Sequence, residues 1–208
     1  PEHAFPASLT ASFEALQVLA GRATRLTGRP HTALLVGGEE AGGNLAAALA
    51  LMARDQQTPA LAGQLLVSPM LDPRMGSASM RRGECGGCEC LYAQGWKAYL
   101  GTCINADHPY AVPLNARRLS GLAPALVLSV NGHPLADESR RYAAALQAHG
   151  GEVRDRTRTG RCVVDLARLC PGKPDELRQR ARLLGLAFAM GTRILLLLLL
   201  TKLSMTVN

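Results

Sequence analysis

Apolar Leu9, Phe13, Leu16 and Ala20 recur with the period of an amphipathic helix, and Gly21 follows as its expected cap. Residues 33–36 are a short apolar run between His31-Thr32 and Gly37-Gly38, which predicts a buried strand. Residues 42–54 are rich in Ala and Leu and predict a helix with small residues on its packing side. Residues 64–68, stopped by Pro69, and residues 125–129, entered from Pro124, predict two further buried strands. Residues 139–149 predict a helix closed by Gly150-Gly151, and residues 153–159 alternate as an exposed edge strand does. Leu177, Ala181, Leu184 and Phe188 mark a last helix opened by Pro174-Asp175-Glu176. Strands alternating with helices predict an α/β fold, a mostly parallel sheet with helices on both faces.

The pattern weakens between Leu71 and Pro124. Residues 75–90 hold four glycines and read as a long loop, with a short helix expected over 96–100. Residues 183–200 are apolar apart from Thr192-Arg193. An Arg near the centre of a span costs about 2.5–3.5 kcal/mol on insertion. A core helix followed by an apolar extension is therefore preferred to a membrane tail. Residues 1–190 are expected to form the domain and 191–208 the extension, with membrane contact through it as the lesser reading.

Composition narrows the function classes. The chain has 208 residues, of which 48% are hydrophobic, enough for one core without staples. The net charge is +7, but the basic residues are scattered, in runs no longer than pairs such as Arg81-Arg82 and Arg140-Arg141. No helix-turn-helix or zinc-finger spacing accompanies them, so nucleic acid is not an expected partner. Six cysteines without a signal-peptide pattern point to a reducing, cytoplasmic setting. Cys85, Cys88 and Cys90, with Cys103 and His108 downstream, have a spacing that could hold zinc. A second knuckle is lacking, so ordinary reduced cysteines and no metal are expected.

The sharpest local feature is the run Gly37-Gly38-Glu39-Glu40-Ala41-Gly42-Gly43-Asn44 between a strand and a helix. This is the context of a nucleophile elbow, in which glycines let strand and helix approach around a strained central residue. A phosphate-cradling turn also uses glycines, but no Lys-Ser/Thr follows as in a P-loop.

These residues resemble the bacterial hormone-sensitive-lipase-like esterases of the α/β-hydrolase fold, whose elbow reads G-[DE]-S-A-G-G-N-L-A. Here it is Gly38-Glu39-Glu40-Ala41-Gly42-Gly43-Asn44-Leu45-Ala46. Pro1 to Ala7 is similar to the family's A-P-E-H-P-F-P-A segment, and Gln64 to Pro69 to its sixth strand. Asp107-His108-Pro109-Tyr110-Ala111 and the segment 121–127 look like the approach to its seventh. Pro134-Leu135-Ala136-Asp137-Glu138 resembles the D-P-L-x-D-E stretch that carries the family's acid.

The resemblance implies ester hydrolysis by a Ser-Asp-His triad and an oxyanion hole, with no metal or organic cofactor. It also implies Glu40 at the nucleophile position, His133 at the acid position, and Glu39, Ala41 and Gly42 at the substrate side of the elbow. Where the family has an H-G-F turn carrying its base, this chain runs Gly160-Arg161-Cys162-Val163-Val164-Asp165, and no histidine follows His149. The family's first strands, its H-G-G-G oxyanion loop and its cap precede or surround the matched segments and are expected to be missing.

A carboxylic-ester hydrolase impaired at its active site is therefore the leading expectation. The alternative is a non-catalytic module for a small acyl-ester-like ligand, or for assembly through an open sheet edge. Glu40 and His133 flank the position of the absent base, so an ion pair between them is expected. A catalytic role for the pair is the lesser alternative.

Overall fold

The structure is a computed structural model that describes residues 3–28, 30, 32–82, 90–158 and 194–199. Helix α1 (Ala7–Thr27) buries Leu9, Phe13 and Leu16 on one face, as the spacing predicts. It runs through Gly21 and ends at Gly28, whose φ of +67° is left-handed and whose N–H donates to Thr24 O at 2.8 Å. An interior glycine costs only about 1 kcal/mol against alanine and does not by itself stop a helix. The stop comes where the chain turns left-handed.

The remaining elements are β1 (Ala33–Glu39), α2 (Ala41–Asp55), β2 (Gly63–Val67), α3 (Ala78–Arg82), α4 (Leu91–Leu100), β3 (Ala125–Val130), α5 (Ala136–Ala148), β4 (Val153–Arg158) and β5 (Ile194–Leu199). The strand β1 continues three residues past the predicted run, through Gly37 and Gly38, to the elbow. The expected 75–90 loop contains α3, and the short helix expected over 96–100 begins at Leu91.

Every pairing is parallel and the sheet order is β4-β3-β2-β1-β5. The α/β expectation is met, and β4 is the edge strand that its alternation predicts. The Leu-rich run departs from the expectation of an extension outside the domain. Residues 194–199 pair in parallel with 33–38, Val36 opposite Leu197, on the edge of β1 expected to be open. The physical reason is that a strand edge exposes a row of N–H and C=O groups, and pairing satisfies them. An unbroken aliphatic run is also what a parallel strand covered on both faces requires. No helix among the described residues is long and apolar enough to cross a membrane.

Leu9, Leu16, Leu49, Tyr142 and Leu146 of α1, α2 and α5 form one buried cluster with Leu34, Val36, Leu66 and Val127 of the sheet. On the other face Leu35, Leu65 and Leu126 are buried as well. The helix predicted over 174–188 lies outside the described residues. A second cluster, with Met70, Met80, Trp96, Ala111, Val112 and Leu135, is built from segments that follow β2 and β3. It flanks the carboxyl ends of the strands, where open parallel sheets place their ligand crevices.

Candidate functional site

Strand β1 meets helix α2 at Glu40, which has φ +49° and ψ −113°. That conformation is costly for any residue with a Cβ and persists only where the surroundings enforce it. The Glu40 N–H donates to Val67 O at 3.0 Å, and its carbonyl accepts from Met70 N at 2.9 Å and Asn44 N at 3.1 Å. A Cβ on Gly38 would stand 2.1 Å from Gly42 O, and one on Gly43 would stand 2.9 Å from Pro69 Cα. Both glycines are required by this close approach, as in a nucleophile elbow.

Asn44 locks the turn from below. Its Nδ2 donates to Met70 O at 3.0 Å and to Ala111 O at 3.2 Å, within a buried site. The motif spelling places an Asn there but does not show that it ties α2 to two separate loops.

At the elbow tip the side chain of Glu40 is 27% exposed, and that of His133, in the turn after β3, is 13% exposed. Nε2 of His133 lies 3.6 Å from Glu40 Oε1. The Leu135 N–H donates to His133 Nδ1 at 3.2 Å. With Nδ1 on the Leu135 amide, Nε2 is the ring nitrogen that presents its N–H towards Glu40. Tyr92 Oη donates to the same Oε1 at 2.9 Å. The hydrogen bond from His133, followed by that from Tyr92 and by the charge of His133, outweighs burial and holds the Glu40 carboxyl below the ordinary glutamate value. Glu40 makes no capping hydrogen bond to α2, so its carboxylate is turned from the helix amides to these two donors.

The structure therefore brings Glu40 and His133 together. Glu39 ends β1, half-buried; Ala41, half-buried, opens α2; and Gly42 is buried under Gly38. The segment 160–165, at the family's base position, lies outside the described residues, as do Cys85 and Cys88. Cys90 is buried and Cys103 exposed, and no metal-holding group of three side chains occurs among the described residues.

Tyr92 escaped the sequence reading because its segment carries no motif; a phenol one helical turn before Trp96 was the available signal. Glu138 escaped for another reason. As the second acid in the first turn of α5, it reads as a solvated complement to the helix dipole. In the structure it is 1% exposed, and its Oε2 accepts the N–H groups of Leu71 at 2.6 Å and Asp72 at 2.5 Å. Burial pushes its carboxyl up to about 8, against those two donors. It pins to α5 the loop whose Met70 N–H reaches Glu40 O. A cavity of about 210 Å³ beside Gly63, Pro124 and Arg154 opens at the opposite end of the strands and takes no part in this site.

The family described as alpha/beta hydrolase fold matches residues 1–162. The carboxylic ester hydrolase LipN of Mycobacterium tuberculosis is 35% identical over 162 residues, covering 74% of this chain and 43% of that protein. The gibberellin receptor GID1 of Oryza sativa subsp. japonica is 32% identical over 162 residues, covering 74% and 45%. The crystal structure of EstE1, a thermophilic carboxylesterase from a metagenomic library, superposes with a TM-score of 0.73 at 29% identity, covering 89% of this chain and 64% of that one. The chain spans about half the length of the curated relatives it matches. With the elbow geometry, these matches show that the chain belongs to the hormone-sensitive-lipase-like esterases of the α/β-hydrolase fold.

Proposed function

We propose that this chain is a carboxylic-ester-hydrolase scaffold whose elbow no longer turns over esters. The observation that carries the reading is the carboxylate of Glu40 at the elbow tip, tied through one oxygen to Tyr92 and His133. An elbow nucleophile gives up a proton to a base as it attacks, and an ionised carboxylate has none to give. Attack by a Glu40 oxygen on an acyl ester would form a mixed anhydride and expel an alkoxide. The anhydride is the better acyl donor, so the alkoxide recaptures the acyl group. His133 does not repair this step, because its Nε2 faces Glu40 as a donor and its Nδ1 is already an acceptor.

The test is hydrolysis of p-nitrophenyl butyrate by the parent and by Glu40→Ala. Equal rates, both at the buffer level, are expected. A parent rate above buffer that disappears in Glu40→Ala would overturn the reading.

A second reading, a ligand-binding module on the same scaffold, is favoured by the relative named a gibberellin receptor. A site that retains an apolar wall and a fixed polar anchor at the elbow is suited to binding without turnover.

A further inference from the structure

The loop after β2 and the first turns of α5 enclose a cleft of about 540 Å³ whose walls carry Arg74, Arg140 and Arg141. Its two walls are stitched together. Asp137 Oδ2 accepts the Ser79 N–H at 2.6 Å, Ser79 Oγ donates to Pro134 O at 2.7 Å, and Glu138 holds the Leu71 and Asp72 amides. Two carboxylates aim the three guanidinium groups. Asp72, with its side chain 6% exposed, takes Arg74 Nε on Oδ1 and Arg141 Nη1 on Oδ2, each at 3.0 Å. Asp137 Oδ1 takes Arg140 Nη2 at 2.5 Å. Among the described residues each of these arginines spends one guanidinium nitrogen on its aspartate and keeps two, and its side chain is 42–70% exposed. Three guanidinium charges against two carboxylates leave the lining positive. Arg81, whose Nη1 donates to Gly76 O, adds a further cation at the rim. Burial pushes the neighbouring Glu138 carboxyl up to about 8, so at pH 7 it subtracts little from that charge.

We propose that this cleft binds the phosphomonoester group of a small soluble ligand, at a site separate from the elbow. Glu40, Tyr92 and His133 take no part in its lining. A guanidinium is planar, stays charged and presents paired N–H donors that match phosphate oxygens. A phosphomonoester carries close to two negative charges at pH 7 and three terminal acceptor oxygens. A carboxylate carries one charge and two oxygens, so it fits three arginines less well. All four oxygens of Asp72 and Asp137 already face donors, so the free edges of the arginines are the groups that meet an incoming anion. The volume is that of a small-molecule pocket and leaves room for the body that carries the phosphate. The large exposed apolar residues among the described ones, Val18, Leu26, Leu91 and Ile104, lie outside the lining, which favours a soluble ligand over a lipid headgroup.

The test is calorimetric titration of the 208-residue chain with phenyl phosphate and with benzoate, at pH 7 and constant ionic strength. Phenyl phosphate is expected to bind about tenfold tighter than benzoate. Arg140→Gln and Arg141→Gln are each expected to weaken phenyl phosphate about tenfold, since each removes a charge-assisted hydrogen bond. Arg22→Gln removes the same charge from an exposed position on α1 and is expected to leave binding unchanged. Should Arg141→Gln fail to fold, Arg74→Gln, at the most exposed of the three, takes its place. No binding of phenyl phosphate, binding no tighter than that of benzoate, or an equal loss in Arg22→Gln overturns the proposal. Sedimentation with phosphatidylcholine vesicles containing phosphatidate reads the lipid alternative. Capture by those vesicles that phenyl phosphate does not displace overturns the soluble ligand.

Discussion

His133 Nε2 stands 3.6 Å from Glu40 Oε1 while its Nδ1 accepts the Leu135 N–H at 3.2 Å, so one backbone amide sets the proton that faces the elbow carboxylate. The pairing joins residues 93 positions apart in sequence, after β1 and after β3, across the intervening strand β2. It makes the charge state of Glu40 the main observable of the site.

Glu40 is expected to titrate below the ordinary value of 4.5 because its folded form is held ionised by His133 and Tyr92. Its contribution to stability is present above the unfolded pKa and is lost as pH falls through the lower folded one. His133→Ala should move the Glu40 titration upward, and Tyr92→Phe should move it the same way by less. Carboxyl-carbon NMR titration reads both. A titration unmoved in His133→Ala would refute the pairing.

The positive φ of Glu40 makes a prediction separable from its charge. Glu40→Ala and Glu40→Gly both remove the carboxylate, and they differ by a Cβ at φ +49°. The glycine variant should be more stable than the alanine variant by about 1 kcal/mol or more, read by urea denaturation. The reverse order would mean that the elbow is not strained.

Glu138 should make stability fall as pH rises. Its folded pKa, near 8, exceeds that of an ordinary glutamate, so the native state holds a proton that the unfolded chain has released. Between pH 5 and about 8 the loss is on the order of 4 kcal/mol. Glu138→Gln offers an uncharged acceptor to the Leu71 and Asp72 amides and should flatten that slope. Glu138→Ala orphans both amides and should cost about 2–5 kcal/mol at any pH. Parallel stability–pH curves for the parent and Glu138→Gln would contradict the assignment.

The edge strand β5 is testable by amide exchange. Residues 33–38 pair with it in register, so deleting residues 194–208 should speed exchange of the β1 amides directed at that edge. Amides of β2 and β3 should keep their protection if the sheet persists. Unchanged protection throughout β1 would show that the pairing does not hold in solution.

The residues alone determined the order of α1, β1, α2 and β2 and of β3, α5 and β4, the α/β class and the elbow at Glu40. Those features are written locally, in periodicities and in glycines placed where backbones must approach. The same local logic misread Gly21 as a helix end, because a cap is set by the left-handed turn at Gly28 and not by glycine as such. It also left Leu195 to Leu199 outside the sheet, because no periodicity says which edge an aliphatic run will pair with. Tyr92 above Glu40, Asn44 bridging two loops, and Glu138 buried against two amides were decided by tertiary structure. In each case a polar side chain's role is set by which distant backbone or side-chain group the fold brings within about 3 Å, and sequence spacing carries no such distance.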